Sequence, residues 1–150
     1  MVPSHAQKPE VRALIVLCFG GRDFDDERYV RHVLSWFNQS VGSITQVVEG
    51  DARGTDRLCG RVANSMGIPV RKFRADWDGL GKRAGPIRNQ QMLDEGKPNA
   101  AIGFPGGVGT RDMTRRLIAA KIPILIDAGC FNGVLTTTNS LYSVASGQTE

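Results

Sequence analysis

Apolar residues fall in short blocks along this chain, and the stretches between them carry a helical rhythm. Val11–Phe19 is nearly continuous in apolar side chains, the pattern of a strand buried on both faces. Gly20 and Gly21 break it. Asp25 or Asp26 can cap a helix running to about Asn38, with Val30, Val33, Leu34 and Phe37 on one face. Ile44–Val48 reads as a second strand, closed by Glu49 and Gly50. Gly54 and Thr55 open a second helix through Met66, with Leu58, Val62 and Met66 at helical spacing and Gly67 as its stop. Pro69–Phe73 predicts a third strand, residues 75–85 a long Gly-rich loop, and Pro86–Glu95 a third helix. Ala100–Phe104, Thr110–Ala120 and Ile122–Ile126 complete the series as strand, helix and strand.

Short apolar strands alternating with amphipathic helices imply an α/β protein with a parallel sheet covered on both faces. Right-handed crossovers then give a Rossmann-like three-layer sandwich with a central parallel sheet of about five strands. The expected domain is residues 10–127. Residues 1–9 read as a flexible lead. Residues 128–150, rich in Gly, Ser, Thr and Asn with Glu150 as their one charge, read as a loosely ordered tail or an arm laid on a neighbouring subunit. No internal repeat is present.

Length and composition narrow the options. A chain of 150 residues suits one domain, and 41% hydrophobic with 23% charged residues is globular composition. No apolar run approaches the ~18–20 residues of a membrane span, and the N-terminus lacks the pattern of a secretory signal. Cys18, Cys59 and Cys130 have no metal-ligand spacing. Their odd number predicts reduced thiols in a cytoplasmic setting. His5 and His32 are too few for a metal cluster, so no metal and no cofactor is expected. The net charge is +4, and 14 of the 19 basic residues are Arg, the side chain whose planar fork grips phosphate or carboxylate with two bonds.

Gly, Arg and Asp gather after the ends of the predicted strands, where ligands bind in open parallel sheets. Phe104-Pro105-Gly106-Gly107-Val108-Gly109-Thr110 joins a buried strand to a helix start, whose free N–H groups and partial positive charge suit a phosphate. Thr110 can cap that helix or bond a phosphate oxygen. Gly50 and Gly54 make a second turn of this kind, with Arg53 and Arg57 near the next helix start. Asp56 in that first turn is favourable as a dipole partner, and Asp51 can hold a ribose hydroxyl. Arg88 lies near the start of the third helix, where the dipole opposes a cation unless an anion sits close by. Asn89 follows it, and Lys82 and Arg83 can close over a phosphate from the preceding loop. Trp77 fits either a core anchor or a plane for a purine. Arg22 and Asp23 follow Gly20 and Gly21 into the cleft.

Gly20-Gly21-Arg22-Asp23-Phe24, Glu49 through Asp56, Ala75-Asp76-Trp77, Ala84 through Asn89 and Phe104 through Thr110 together resemble the YspA-type family of the SLOG superfamily, over roughly residues 12–127. That superfamily includes the Lonely Guy phosphoribohydrolases and the DNA-processing protein DprA. The resemblance implies a Rossmann-like nucleotide-binding fold. Lonely Guy enzymes carry Pro-Gly-Gly-x-Gly-Thr-x-x-Glu, and their Glu works on the ribose. Here Met113 holds that position, with Asp112 beside it, about 100° around the helix. Arg88-Asn89-Gln90-Gln91-Met92 resembles their Arg-Lys-x-x-Met pattern, with Asn in place of Lys.

Three functions follow as expectations. The first is a binding or sensing module for a nucleotide or nucleotide-derived small molecule, held by Gly20, Gly21, Arg22, Asp23, Gly50, Asp51, Arg53, Gly54, Asp56, Trp77, Lys82, Arg88, Asn89, Pro105, Gly106, Gly107, Gly109 and Thr110. The second is an N-glycosidase acting on a nucleoside 5′-monophosphate, with Arg88 and a carboxylate as its catalytic groups, Asp112 the first candidate and then Asp23 and Asp51. The third is single-stranded DNA binding. It is the least favoured, because Phe24, Trp36 and Trp77 lie on no basic stripe. No membrane partner is expected, and a homodimer or higher homo-oligomer is.

Overall fold

The computed structural model describes residues 13–127 and 135–137. The expected lead and most of the expected tail lie outside the described residues. The elements are β1 (Ala13–Phe19), α1 (Glu27–Ser40), β2 (Ser43–Glu49), α2 (Thr55–Ser65), β3 (Val70–Lys72), α3 (Trp77–Leu80), α4 (Ala84–Asp94), β4 (Ala100–Gly103), α5 (Val108–Ala119), β5 (Ile124–Asp127) and β6 (Leu135–Thr137). A short 3₁₀ turn, Gly81–Arg83, joins α3 to α4.

The strands form one sheet in the order β3-β2-β1-β4-β5-β6. The pairs from β3 through β5 are all parallel, and β6 runs antiparallel to β5. This is the Rossmann-like sandwich the sequence predicts, with one more strand. The chain moves outward from β1 to β3, then returns to place β4 on the other side of β1. The order reverses at β1, and loops from both directions meet beyond its carboxyl end.

Alternation along β1 divides the core. Leu14, Val16 and Cys18 face α1 and α2, where Val33, Leu34, Phe37, Leu58 and Val62 meet them. Leu17 and Phe19 face α4 and α5, with Met92, Leu93, Met113 and Leu117. All four apolar positions assigned to the first helix are buried, and Asp26 caps it by accepting from the Tyr29 N–H. Gly67 adopts φ +77° just beyond α2, as a helix stop does. Cys18 and Cys59 are free, buried thiols. Among the described residues, no helix is long and apolar enough to cross a membrane.

Three departures bear on function. Residues 75–85, expected as loop, contain α3 and the 3₁₀ turn, because Asp76 caps α3 by accepting from the Gly79 N–H. Helices α4 and α5 each begin two residues before the expected Pro86 and Thr110, so Arg88 sits in the second turn of α4 rather than at its mouth. The segment expected as tail supplies β6, a strand of three residues that is too short to stand out among its polar neighbours.

Phe37 has no exposed surface and anchors α1 to the sheet. Phe37→Ala is expected to cost about 3–5 kcal/mol, read as a lower urea midpoint at unchanged slope. A loss below ~1 kcal/mol would mean that this face does not hold the helix to the sheet.

Candidate functional site

The carboxyl ends of β1, β2, β3 and β4 open on one edge of the sheet, and the glycine-bearing loops meet there. The Gly21 N–H donates to the Pro105 carbonyl at 2.8 Å, and the Gly21 carbonyl accepts from both the Thr55 N–H and the Thr55 hydroxyl. These bonds lock the loops after β1, β2 and β4 to one another. Gly54, at φ +84°, brings its backbone against the Arg22 carbonyl, a place where a Cβ would collide.

A cavity of about 570 Å³ opens between these loops and α4. It is lined by Arg22, Gly50, Asp51, Ala52, Arg53, Arg57, Arg74, Ala75, Asp76, Trp77, Asp78 and Arg88. Five of the twelve are arginines against three aspartates, so an anion is electrostatically favoured there.

Glu49, at the end of β2, has no exposed surface. It sits opposite Lys72 in the β2–β3 register, accepts from the Lys72 ammonium at 2.8 Å and accepts from the Asp51 N–H. Its carboxylate fills the space left by Gly60, where a Cβ would come within 2.6 Å of Oε2. Burial raises its pKa against the pull of Lys72. Asp51 follows at φ +56°, a left-handed conformation that Asp tolerates better than most residues. Its carboxylate accepts from Arg57 at 3.3 Å and from Arg74 at 3.1 and 3.2 Å, with the Lys72 ammonium at 3.6 Å. Burial works to raise the Asp51 pKa, but Arg74, Lys72 and Arg57 outweigh it and hold the carboxyl below its usual range.

Arg88 crosses from α4 to donate to the Gly50 carbonyl and to the Asn89 side chain. It passes so close to Gly50 that a Cβ there would meet its guanidinium at 2.5 Å and the Asp56 carboxylate at 2.8 Å. Asp56, in the first turn of α2, is 7% exposed and accepts from the Ala52 N–H at 3.3 Å. Burial pushes its pKa up to about 7, against the opposing pull of Arg88.

Six of the sequence-predicted residues line this cavity: Arg22, Gly50, Asp51, Arg53, Trp77 and Arg88. Trp77 is 46% exposed, which removes the core-anchor alternative and leaves its ring at the cavity. Gly20, Gly21, Gly54 and Asp56 are not in the lining, though Gly54 lies against the Arg22 carbonyl and Asp56 against Gly50. Asp23 pairs with Arg53 at 3.0 Å in the open. Lys82 is exposed on the 3₁₀ turn, outside the lining. Pro105, Gly106, Gly107, Gly109 and Thr110 form the start of α5 on the far side of Gly21, and the Thr110 hydroxyl turns back against Gly106. Asn89 is buried and donates to Asp112 at 2.9 Å. Asp112 also accepts from Arg116 at 2.8 Å. Burial is again outweighed there, by Arg116 and Asn89, and the carboxyl stays below its usual range. Met113 is a core residue.

Arg74, Asp76 and Asp78 were not among the expected ligand residues, and neither was Arg57, though it stands near a helix start. Each follows a strand or opens a helix at the cavity edge of the sheet, so position relative to the strand ends was the usable signal. Among the described residues, no group of three or more His, Cys, Asp or Glu could hold a metal ion.

The folded protein holds the Asp56 proton more tightly than the unfolded chain. This group's contribution to stability is therefore full below its ordinary pKa of 3.8 and is lost as pH rises to about 7. Asp56→Asn should gain stability relative to the parent between pH 4 and pH 8, by on the order of 1–4 kcal/mol. Urea unfolding of both proteins across that range tests this, and parallel curves would show an ordinary carboxylate.

Comparison with known proteins agrees with this architecture. The model of the YspA, cpYpsA-related SLOG family matches residues 14–79, from β1 through α3. The chain is also 38% identical over 86 residues to the Gene 61 protein of Mycobacterium phage D29, covering 53% of this chain and 68% of that protein. The matched family segment holds eleven of the twelve cavity residues, on the loops after β1, β2 and β3 and in the first turns of α2 and α3. With this fold, those loops and these matches, the chain belongs to the YspA, cpYpsA-related SLOG family, and the role that membership suggests is a nucleotide-related one.

Proposed function

We propose that this protein binds a nucleotide or nucleotide-derived small molecule in the cavity beyond β1, β2 and β3, with its phosphate among the arginines and its base against Trp77. One observation carries the reading: a cavity of about 570 Å³ places five arginine side chains beside a half-exposed indole. Its volume lies within the ~300–1,000 Å³ of small-molecule sites. Arginine forks suit phosphate oxygens, and an exposed indole offers a flat apolar face for a base. The start of α5, with Gly106, Gly107 and Gly109 exposed beside Gly21, offers a further anion-favouring surface to a ligand that reaches across.

A binding role needs no general acid or base, and this fits the side chains near α5. Met113 packs in the core, and the Asp112 carboxylate is engaged by Asn89 and Arg116.

Native mass spectrometry with nucleoside monophosphates, NAD, ADP-ribose and cyclic nucleotides tests the reading. The expected result is an adduct of intact ligand mass that persists. Arg88→Ala should weaken the best ligand about 10- to 100-fold in calorimetry, the loss of one or two charge-assisted hydrogen bonds. Conversion of the nucleotide to ribose 5-phosphate and free base would replace the binding reading with an N-glycosidase. No adduct across the panel would overturn it.

A further inference from the structure

Arg22 differs from the other four arginines of the cavity. Arg53 pairs with Asp23, Arg57 and Arg74 hold Asp51, and Arg88 donates to Gly50 and Asn89. Arg22 has no ion pair among the described residues. Its guanidinium instead lies over the Trp77 ring, 5.0 Å from the centroid. It is also near enough to Arg88 for the two cations to repel.

The indole beneath it is fixed at one edge and open elsewhere. The far end of the Trp77 ring packs on Gly85, where a Cβ would stand only 3.2 Å away, yet the residue is 46% exposed. One face of the surface offered to a base is therefore occupied by a side chain of the protein itself. A cation over an exposed ring is a weak contact. A guanidinium–phosphate pair is stronger, because it combines charge with two directed hydrogen bonds. An anion between Arg22 and Arg88 would also relieve their repulsion.

We propose that Arg22 is a specificity-determining gate, covering the Trp77 ring until a phosphate draws it away toward Arg88 and opens the indole to the base of the same ligand. This inference rests on the nucleotide-binding reading above. It makes phosphate and base recognition cooperative, so the site favours phosphorylated aromatic ligands over nucleosides or free bases. The coupling is worth on the order of 2- to 5-fold in affinity, the cost of removing one exposed cation–π contact.

The test uses Trp36→Phe, which leaves Trp77 as the single indole of the chain. Acrylamide quenching of its fluorescence is measured against increasing inorganic phosphate, with phosphate binding followed separately by calorimetry. The expected result is quenching that rises and saturates with phosphate. In Trp36→Phe with Arg22→Gln, quenching is already high and does not respond. Adenosine should bind the parent 2- to 5-fold more tightly when phosphate is present. Phosphate binding without a change in quenching overturns the gate and leaves the binding reading intact. A phosphate response that persists after Arg22→Gln also overturns the gate. Absence of binding by phosphate and by every nucleotide overturns the reading beneath it, and the gate falls with it. If Trp36→Phe loses the native circular dichroism, Trp77→Phe in the otherwise unchanged chain isolates the Trp36 signal, and subtraction gives that of Trp77.

Discussion

The site is organised around a carboxylate with no route to solvent. Glu49 ends β2 with its side chain wholly inside, and a buried charge is costly unless it is paired and hydrogen-bonded. Lys72 answers it from the neighbouring strand, the Asp51 N–H answers it from the loop, and Gly60 leaves the room it occupies. The second of these bonds draws the backbone back on itself immediately after the strand. Asp51 lies at φ +56° as a result, with its carboxylate turned toward Arg57 and Arg74. The placement of Arg57 and Arg74 at the cavity thus goes with Glu49 and the turn that follows it. Replacing Glu49 would leave Lys72 with one carboxylate fewer and the loop without its anchor.

The layers of the fold were legible because each element carries its own periodicity. β1 alternates between two helical faces, and the burial of Val30, Val33, Leu34 and Phe37 follows directly from their spacing. The cluster of Gly, Arg and Asp after the strand ends was legible too, and six of the expected residues meet at one cavity. What the sequence did not disclose is how those side chains spend their bonding capacity. Nothing local to Asp112 announces that Asn89 and Arg116 will engage it, because both partners arrive through the packing of α4 on α5. Arg74 reads as one more surface arginine until β3 lies beside β2 and Asp51 turns to meet it. The helical turn at Trp77 is similarly hidden, since a single capped turn is too short to show a period.

Family resemblance and geometry pull apart at α5. Lonely Guy enzymes have a carboxylate at the position of Met113, and here that position belongs to the core, among Leu17, Phe19 and Leu117. A carboxylate placed there would be buried unless the helix rotated. Against the effect of burial, the neighbouring Asp112 is held below the usual carboxylate range by Arg116 and Asn89, and the Asn89 contact also joins α4 to α5. The resemblance in the glycine-rich turn therefore does not extend to the side chain at position 113.

The bonding already present among the cavity arginines divides their labour. Arg57 and Arg74 share one carboxylate that is 10% exposed and lies 3.6 Å from the Lys72 ammonium, so both are already engaged. Their charges add to the field that favours an anion in the cavity. Arg88 is held by the Gly50 carbonyl and Asn89, with the buried Asp56 behind it, so it is preorganised and can donate its remaining N–H groups without moving. Arg22 is exposed and rests on a weak contact with the Trp77 ring, and Arg53 is likewise exposed, in an open pair with Asp23. A cavity whose Arg57, Arg74 and Arg88 are already engaged spends little on ordering those walls, while Arg22 and Arg53 keep the looser contacts.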